Sequence, residues 1–353
     1  MKLTYKNIVL YLSCAFIAVI LILPSVAENA IISAVKTTVI TVVPALFPFM
    51  VISGILCEAG APEPVKTLFK PLCRLLRIPD SCSSVILVGN LCGFPVGASS
   101  VCSLVLNGEI DRESGLRTAV LSNNVSISFA LSYVGSVLFS CRKLALVMWL
   151  SQLISCIFIC FAESRIQKSR HHRETVKIPT EEKHFSLSKV FTSSVSRAAL
   201  GCLSVAAFIC FFSIVKQYVS SVLTKAGLPI LSNIISLILE IASACNLSAT
   251  YSYPLSAAFC CFAMGFSGLC VICQSAVYLS ECGISTVRFT AMKLLQGVLS
   301  GLISFVLCLF IKFDVSVSSL SPTVNLNSVF TVVSFFLFII YIIIKIKELT
   351  VST

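Results

Sequence analysis

Residues 144–161 run through eighteen positions without a single charged side chain. A helix of that length crosses most of the hydrocarbon core of a bilayer. Comparable apolar runs fill 8–23, 120–139, 190–215, 289–311 and 329–344. So many apolar side chains do not fit inside one water-soluble core of this size. Charged residues make up 12% of the sequence and hydrophobic ones 57%, against about 25% charged in a soluble domain. These proportions exclude a soluble enzyme, a nucleic-acid-binding domain and a disordered chain. The formal net charge of +11 sits in short loops between the runs, as the positive-inside rule expects of cytoplasmic loops. The partner it implies is the lipid bilayer, not nucleic acid.

Almost all of the 18 cysteines lie inside or beside apolar runs, as at Cys156, Cys160, Cys202, Cys210, Cys260 and Cys261. Disulfide frameworks belong to short, secreted, loop-rich chains, so cysteine here serves as a small, soft apolar residue. The Cys270–Cys273 pair reads as packing on the same ground. His171, His172 and His184 all fall in one polar loop. That leaves the membrane region without haem ligands, imidazole bases or His-type metal sites. No nucleophile–base arrangement is visible either. The expectation is a non-enzyme with no catalytic residue, no cofactor and no metal.

The first run follows Lys2 and Lys6 and precedes Pro24-Ser25-Val26-Ala27. It reads as a cleavable signal or as an uncleaved first helix; the many later spans favour the helix, with a cytoplasmic N-terminus. Residues 31–57 contain Pro44 and Pro48, and Lys66, Lys70, Arg74 and Arg77 then alternate with apolar residues like an interfacial helix. Residues 81–106 are apolar but interrupted by Gly89, Gly93, Pro95 and Gly97. Residues 120–139 and 144–161 read as an antiparallel pair joined at Arg142-Lys143. The loop 164–189 carries seven basic residues against Glu174, Glu181 and Glu182, so it is expected in the cytoplasm. Beyond it lie 190–215, 228–245, a broken stretch over 254–279, 289–311 and the last span, with Lys345 and Lys347 behind it.

Gly93-Phe94-Pro95-Val96-Gly97 in the first broken stretch and Gly265-Phe266-Ser267-Gly268 in the second stand 172 positions apart. Paired Gly/Pro-interrupted segments in two halves of a membrane protein point to a transporter's binding site. Broken helices expose backbone N–H groups and a partial positive charge at membrane depth, which suits an anion. The glycines either let backbone approach a ligand or let helices pack closely, and their pairing favours the site. Asn123-Asn124, with Ser126 and Ser128, either reaches the bundle interior or caps a helix. Glu240 is the one acid deep in 228–245; it either carries a proton or pairs with Lys293, Lys36 or Arg197. Gln274 and Gln296 are weaker polar candidates.

Pro44-Ala45-Leu46-Phe47-Pro48-Phe49, Gly93-Phe94-Pro95-Val96-Gly97-Ala98 and Ser122-Asn123-Asn124 occur in that order, followed by Glu240-Ile241, Gly265-Phe266-Ser267-Gly268-Leu269-Cys270-Val271 and Gln274. In order and spacing, residues 35–310 resemble the sporulation integral membrane proteins of the YlbJ type. That family is related to nucleoside-recognition Gate domains, which are similar to pieces of concentrative nucleoside transporters. The resemblance implies two Gate-like repeats and a role in spore formation. It further implies passage of dipicolinate, a small planar dianion, from the mother cell across the outer forespore membrane, alongside other sporulation membrane proteins. The chain departs from the family at Ser99, usually Lys, and at Ile127, usually Pro. It also departs at Ile272 and Cys273, where His is common, and at Ala242 and Ala244, where Thr or Gly follows the acid.

The reading is thus an all-α, polytopic membrane protein with about eight transmembrane helices and two Gly-broken re-entrant hairpins, in two related halves. Its expected parts are an N-terminal span (1–30), a first half (31–163), the basic loop (164–189), a second half (190–312) and a last span with its tail (313–353). An inverted repeat would put the hairpins on opposite faces, whereas Lys345 and Lys347 favour a cytoplasmic C-terminus and hairpins entering from one side. The expected function is transport of a small anion, with substrate-binding groups at Gly93, Phe94, Pro95, Gly97, Asn123, Asn124, Glu240, Gly265, Phe266, Gly268 and Gln274. The competing readings are a non-transporting scaffold of spore maturation, and a transporter of another small solute such as a nucleoside.

Overall fold

The computed structural model describes residues 5–59, 63–166 and 186–313. Within them lie fifteen α-helices, two π-helical stretches and no β-strand. Helices α1 (Tyr5–Ile22) and α2 (Pro24–Thr37) meet at Leu23 with a bend of 96°. Pro24 causes it, since a proline fits the first turn of a new helix but cannot continue the old one. A π-helical stretch over Thr38–Val42 leads into α3 (Val43–Ala59), and α4 (Glu63–Leu76) buries Cys73 and Leu76 while its charged side stays out.

The first Gly-broken stretch forms two short helices, α5 (Cys82–Cys92) and α6 (Val96–Leu106), which pack on each other around Gly93-Phe94-Pro95. Gly93 ends α5 at φ +83°, a backbone conformation that any Cβ would penalise. Next come α7 (Arg112–Ser122), the single turn α8 (Ile127–Phe129) with a π-helical stretch over Ala130–Leu138, and α9 (Arg142–Ile166). The run 120–139, expected as one span, is therefore interrupted at 123–126. Asn123 leaves helical geometry (φ −94°, ψ 64°), and the Ser126 hydroxyl accepts from Phe129 N at 3.2 Å to start the next turn. The N-terminus of α7 is held by Asp111, whose carboxylate accepts from Glu113 N and Ser114 N. Burial raises the Asp111 pKa, but the bonds from Ser114 and Glu113 outweigh it and leave the group more acidic than usual.

After the loop, α10 (Leu187–Lys225) runs for 39 residues, about 58 Å at the α-helical rise, and so projects well beyond a hydrocarbon core about 30 Å thick. The expected single span 228–245 is in fact α11 (Pro229–Leu239) and α12 (Ile241–Ser248), packed on each other. Glu240 between them is extended (φ −147°, ψ 130°) because its side chain bonds the first N–H groups of α12. Helices α13 (Leu255–Phe266) and α14 (Gly268–Glu281), by contrast, join into one 27-residue span kinked at Ser267. In place of the re-entrant hairpin expected over 254–279 stands one kinked segment, long and apolar enough to cross a membrane. Only Ser267 separates its two helices, too little chain for a reversal. The last described helix is α15 (Thr286–Phe310).

Four helical segments among the described residues are long and apolar enough to cross a membrane: α9, α10, α13 with α14, and α15; α1 with α2 makes a fifth if counted as one bent span. The last expected span, the three histidines and most of the 164–189 loop lie outside the described residues. The element order repeats along the chain. Helices α5 and α11 have eleven residues each and start 147 positions apart; α9 and α15 have twenty-five each and start 144 apart. The break at Gly93 therefore corresponds to Glu240, and the break at 123–126 to Ser267. The offset of 172 suggested by the two Gly-Phe motifs does not align the elements.

The core is held by two devices. Helix α13 lies along α15, whose buried face carries Gly297, Ser300, Gly301 and Ser304 at helical spacing. These small residues let the backbones meet; a Cβ on Gly265 would lie 3.0 Å from Gly297 Cα. The second device is ionic. Arg288 Nη1 bonds Glu113 Oε1 at 2.8 Å and its Nη2 bonds Glu163 Oε1 at 2.7 Å, while Arg117 Nη1 bonds Glu163 Oε2 at 3.1 Å. The ends of α7, α9 and α15 are thereby tied together.

Candidate functional site

The polar groups inside the bundle converge on Lys293 of α15. It is fully buried, and its ammonium donates to Asn123 O at 3.1 Å, Asn124 Oδ1 at 3.1 Å and Gln296 Oε1 at 2.8 Å. Three oxygens around one nitrogen match the three protons of an ammonium group. All three are uncharged, and among the described residues no carboxylate bonds Lys293. The site is thus a lysine amine held in the interior by three neutral oxygens.

Each partner is itself positioned. The α7 break turns the Asn123 carbonyl out of the helical ladder and toward Lys293. Asn124 donates from Nδ2 to Leu121 O at 2.8 Å and to Asn90 Oδ1 at 3.1 Å, leaving Oδ1 for Lys293 and for Gln296 Nε2 at 2.8 Å. Asn90 is anchored in turn to Ile86 O and Leu121 O, at 2.8 and 2.9 Å. Gln152 on α9 donates from Nε2 to Val125 O at 3.1 Å, and its backbone carbonyl accepts from Gln296 Nε2 at 3.1 Å. Gln152 and Gln296 stand 144 positions apart, the step of the element repeat, and both reach the same broken segment. Asn123, Asn124, Gln152 and Gln296 are all fully buried, and Asn123 Oδ1 and Gln152 Oε1 have no hydrogen-bond partner. Orphaned buried acceptors are rare in finished interiors and call for an explanation.

The first-hairpin residues meet this cluster. A Cβ on Gly93 would lie 3.0 Å from Ser126 N and 3.3 Å from Asn124 O; one on Gly97 would lie 2.8 Å from Asn123 N and collide with the Ser122 carbonyl. Pro95 is buried just ahead of α6, and Phe94 packs on the cluster that contains Val125 and Ala130. Gly265 comes to the site from the far side, its Cβ direction 3.1 Å from Gln296 O, and Phe266 stacks on Phe262 at 5.9 Å. These glycines face backbone, so in this state they serve close approach of helices.

Glu240, Gly268 and Gln274 gather elsewhere. Glu240 accepts from Ala242 N and Ser243 N at 2.8 Å each and from the Ser243 hydroxyl, to which Lys216 Nζ donates at 2.6 Å. None of Lys293, Lys36 and Arg197 pairs with it; its cationic neighbour is Lys216, reached through Ser243. Gly268, at φ +79°, would bring a Cβ within 3.3 Å of Glu240 Cα. Gln274 donates to Cys270 Sγ at 3.2 Å. The link between the two groups is Asn123 Nδ2, which donates to Ser275 Oγ at 2.8 Å. Glu240 is thus an N-cap, and Glu240→Ala is expected to destabilise the protein by about 0.5–2 kcal/mol. A fall in the unfolding temperature of the purified protein checks this; Glu240→Asn should recover most of it.

Sequence reading placed Asn123 and Asn124 in the site but missed its centre. Lys293 figured only as a counter-ion for Glu240, and Gln152 and Asn90 did not figure at all. A signal was available in the spacing of Lys293, Gln296 and Ser300, which puts three polar groups on one face of an apolar helix.

No family model matches the chain, and no solved structure does. It is 25% identical over 291 residues to the sporulation integral membrane protein YlbJ of Bacillus subtilis, which covers 73% of this chain and 71% of that protein. A stretch of 87 residues is 30% identical to the uncharacterized protein MJ0880 of Methanocaldococcus jannaschii, covering 25% of this chain and 28% of that one. Over most of its length, then, this polytopic helical membrane protein is similar to the YlbJ-type sporulation integral membrane proteins.

Proposed function

We propose that the chain transports a small organic anion during sporulation, and that Lys293 is the group that recognises it. The supporting observation is the fully buried Lys293 ammonium with three neutral oxygens around it and no carboxylate partner. A charge kept inside a membrane protein is costly and is generally retained for a purpose. An anion entering the site would pair with Lys293 in place of one of its three neutral oxygens. The Asn123 and Gln152 oxygens, orphaned in the closed state, would be free to turn toward a substrate's donors or water. With Lys293, Asn123, Asn124, Gln152 and Gln296 all buried, this arrangement corresponds on the proposed reading to an occluded state. Substrate access then requires the Gly93–Gly97 tip to withdraw from 122–126.

Dipicolinate, carried across the outer forespore membrane, is the substrate we favour. A planar dianion matches one buried cation flanked by planar amides, and the similarity to a sporulation protein supplies the setting. The test is spore dipicolinate content in a deletion strain complemented by wild-type or Lys293→Met protein. Depletion restored by wild type but not by Lys293→Met supports the proposal. Normal dipicolinate in the deletion strain removes the substrate assignment, and full restoration by Lys293→Met removes the site.

The close packing of Gly97 on Ser122 and of Gly265 on Gly297 favours a second reading, a non-transporting scaffold of spore maturation. On that reading the deletion phenotype is complemented by Lys293→Met whenever the protein assembles.

A further inference from the structure

Helix α4 (Glu63–Leu76) has 14 residues, about 21 Å at the α-helical rise, too short to cross a hydrocarbon core about 30 Å thick. It divides into three faces. Phe69, Leu72, Cys73 and Leu76 pack into the protein core. Pro64, Leu68, Pro71 and Leu75 form a second face that is apolar and exposed, Leu68 by 73% and Leu75 by 42%. Lys66, Lys70 and Arg74, spaced one turn apart, form the third. A surface helix in water turns its apolar stripe to the protein and polar residues to the solvent. Protein contact, bare apolar surface and positive charge on three separate faces suit a helix lying in the membrane plane. Protein is then beside it, acyl chains beneath and headgroups above.

The neighbouring helices set its depth. Arg77, just past α4, donates from Nη1 to Ser164 O at 3.1 Å, near the end of α9, and its own carbonyl accepts from Arg117 Nη2 at 3.2 Å. Helix α9 is long and apolar enough to cross a membrane, so α4 is tied to the level at which that segment ends. The basic face is unevenly neutralised. Lys66 pairs with Glu63 at 3.6 Å, whereas among the described residues no acid pairs with Lys70 or Arg74. Both side chains are exposed, and a phosphate between them takes charge-assisted hydrogen bonds from each.

We propose that α4 binds an anionic phospholipid, with the headgroup phosphate between Lys70 and Arg74 and the acyl chains along Leu68 and Leu75. Phosphatidylcholine carries the same phosphate but offsets it with its own cation, so the preference is for lipids of net negative charge. The surface shares no residue with the Lys293 cluster and does not rest on the anion-transport reading.

Fluorescence quenching of a Leu75→Trp variant of the full-length protein tests it. The sequence has a single tryptophan, Trp149, whose signal in the wild-type protein supplies the baseline. The protein is reconstituted into phosphatidylcholine vesicles with brominated phosphatidylcholine or brominated phosphatidylglycerol at the same mole fraction. Both lipids should quench the added tryptophan, and phosphatidylglycerol should do so with an apparent affinity higher by about fivefold or more. Adding Lys70→Gln and Arg74→Gln should make the two lipids equal; both residues are exposed, so the packed face of α4 is untouched. No quenching by either lipid overturns the proposal, because the Leu68–Leu75 face then lies outside the bilayer. Equal quenching with Lys70 and Arg74 in place also overturns it, as does a phosphatidylglycerol preference that survives both substitutions.

Discussion

Lys293→Met is expected to leave the protein assembled and to abolish anion uptake. Methionine matches the length of the lysine stem, and the desolvation penalty of a buried ammonium, removed with it, offsets the bonds lost at Asn123 O and Gln296 Oε1. The partners left behind are neutral, and Asn124 Oδ1 keeps its bond from Gln296 Nε2. The functional loss is large because a substrate anion would then face a desolvated site without its cation. Such a pair contributes roughly 2–5 kcal/mol, so uptake at subsaturating substrate should fall at least about thirtyfold. Uptake into proteoliposomes, at matched protein incorporation, measures it. Wild-type rates in the variant would mean that Lys293 is structural.

The largest effect on stability is expected at Glu163. It takes one bond from Arg117 and one from Arg288, and Arg117 is only 7% exposed. Glu163→Ala leaves Arg117 buried without a carboxylate, whereas Arg288 retains Glu113. Stranding a buried charge costs about 3–5 kcal/mol, much of the margin of a marginally stable protein. The variant should accumulate poorly, and Arg117→Met in the same chain should restore much of the loss. Failure of the second substitution to rescue would place the cost in packing rather than in the stranded guanidinium.

The two effects separate because charge has different neighbours at the two places. At the α7–α9–α15 ends, acids and bases are both present and their bonds hold helices together. At Lys293 every hydrogen-bonding partner is neutral, so a charge there would be stabilised by the amides without being cancelled. On the proposed reading, that asymmetry makes one charge structural and leaves the other for a ligand.

The same distinction explains what the sequence disclosed. The all-α membrane class follows from apolar run length, and the break in 81–106 from Gly93 and Pro95, residues whose backbone behaviour is intrinsic. The breaks at 123–126 and at 240 are made instead by side chains that cap a new helix. Ser126 and Glu240 read equally well as buried polar residues in a continuous span, since capping depends on where the next N–H groups point. The opposite error occurred at 265–268, where two glycines suggested a reversal and the chain only kinks at Ser267. Lys293 was hidden for a tertiary reason. A lone acid and a lone base in neighbouring spans ordinarily pair. Here Glu240 bonds the N–H groups of its own α12, and Lys293 faces a different helix.

Asn124→Asp tests the central claim most directly, because it adds a carboxylate 3.1 Å from the Lys293 ammonium with almost no change in shape. Dipicolinate binding by the purified full-length protein, wild type against Asn124→Asp, is the measurement. Asp loses the Nδ2 bonds to Leu121 O and Asn90 Oδ1, so the variant unfolds at a lower temperature. If Lys293 acts as an uncompensated cation for an anionic substrate, the affinity of the folded variant for dipicolinate drops by about tenfold or more. Equal affinity in the two proteins would contradict the account, since a neutralised Lys293 would then be binding as well as a free one.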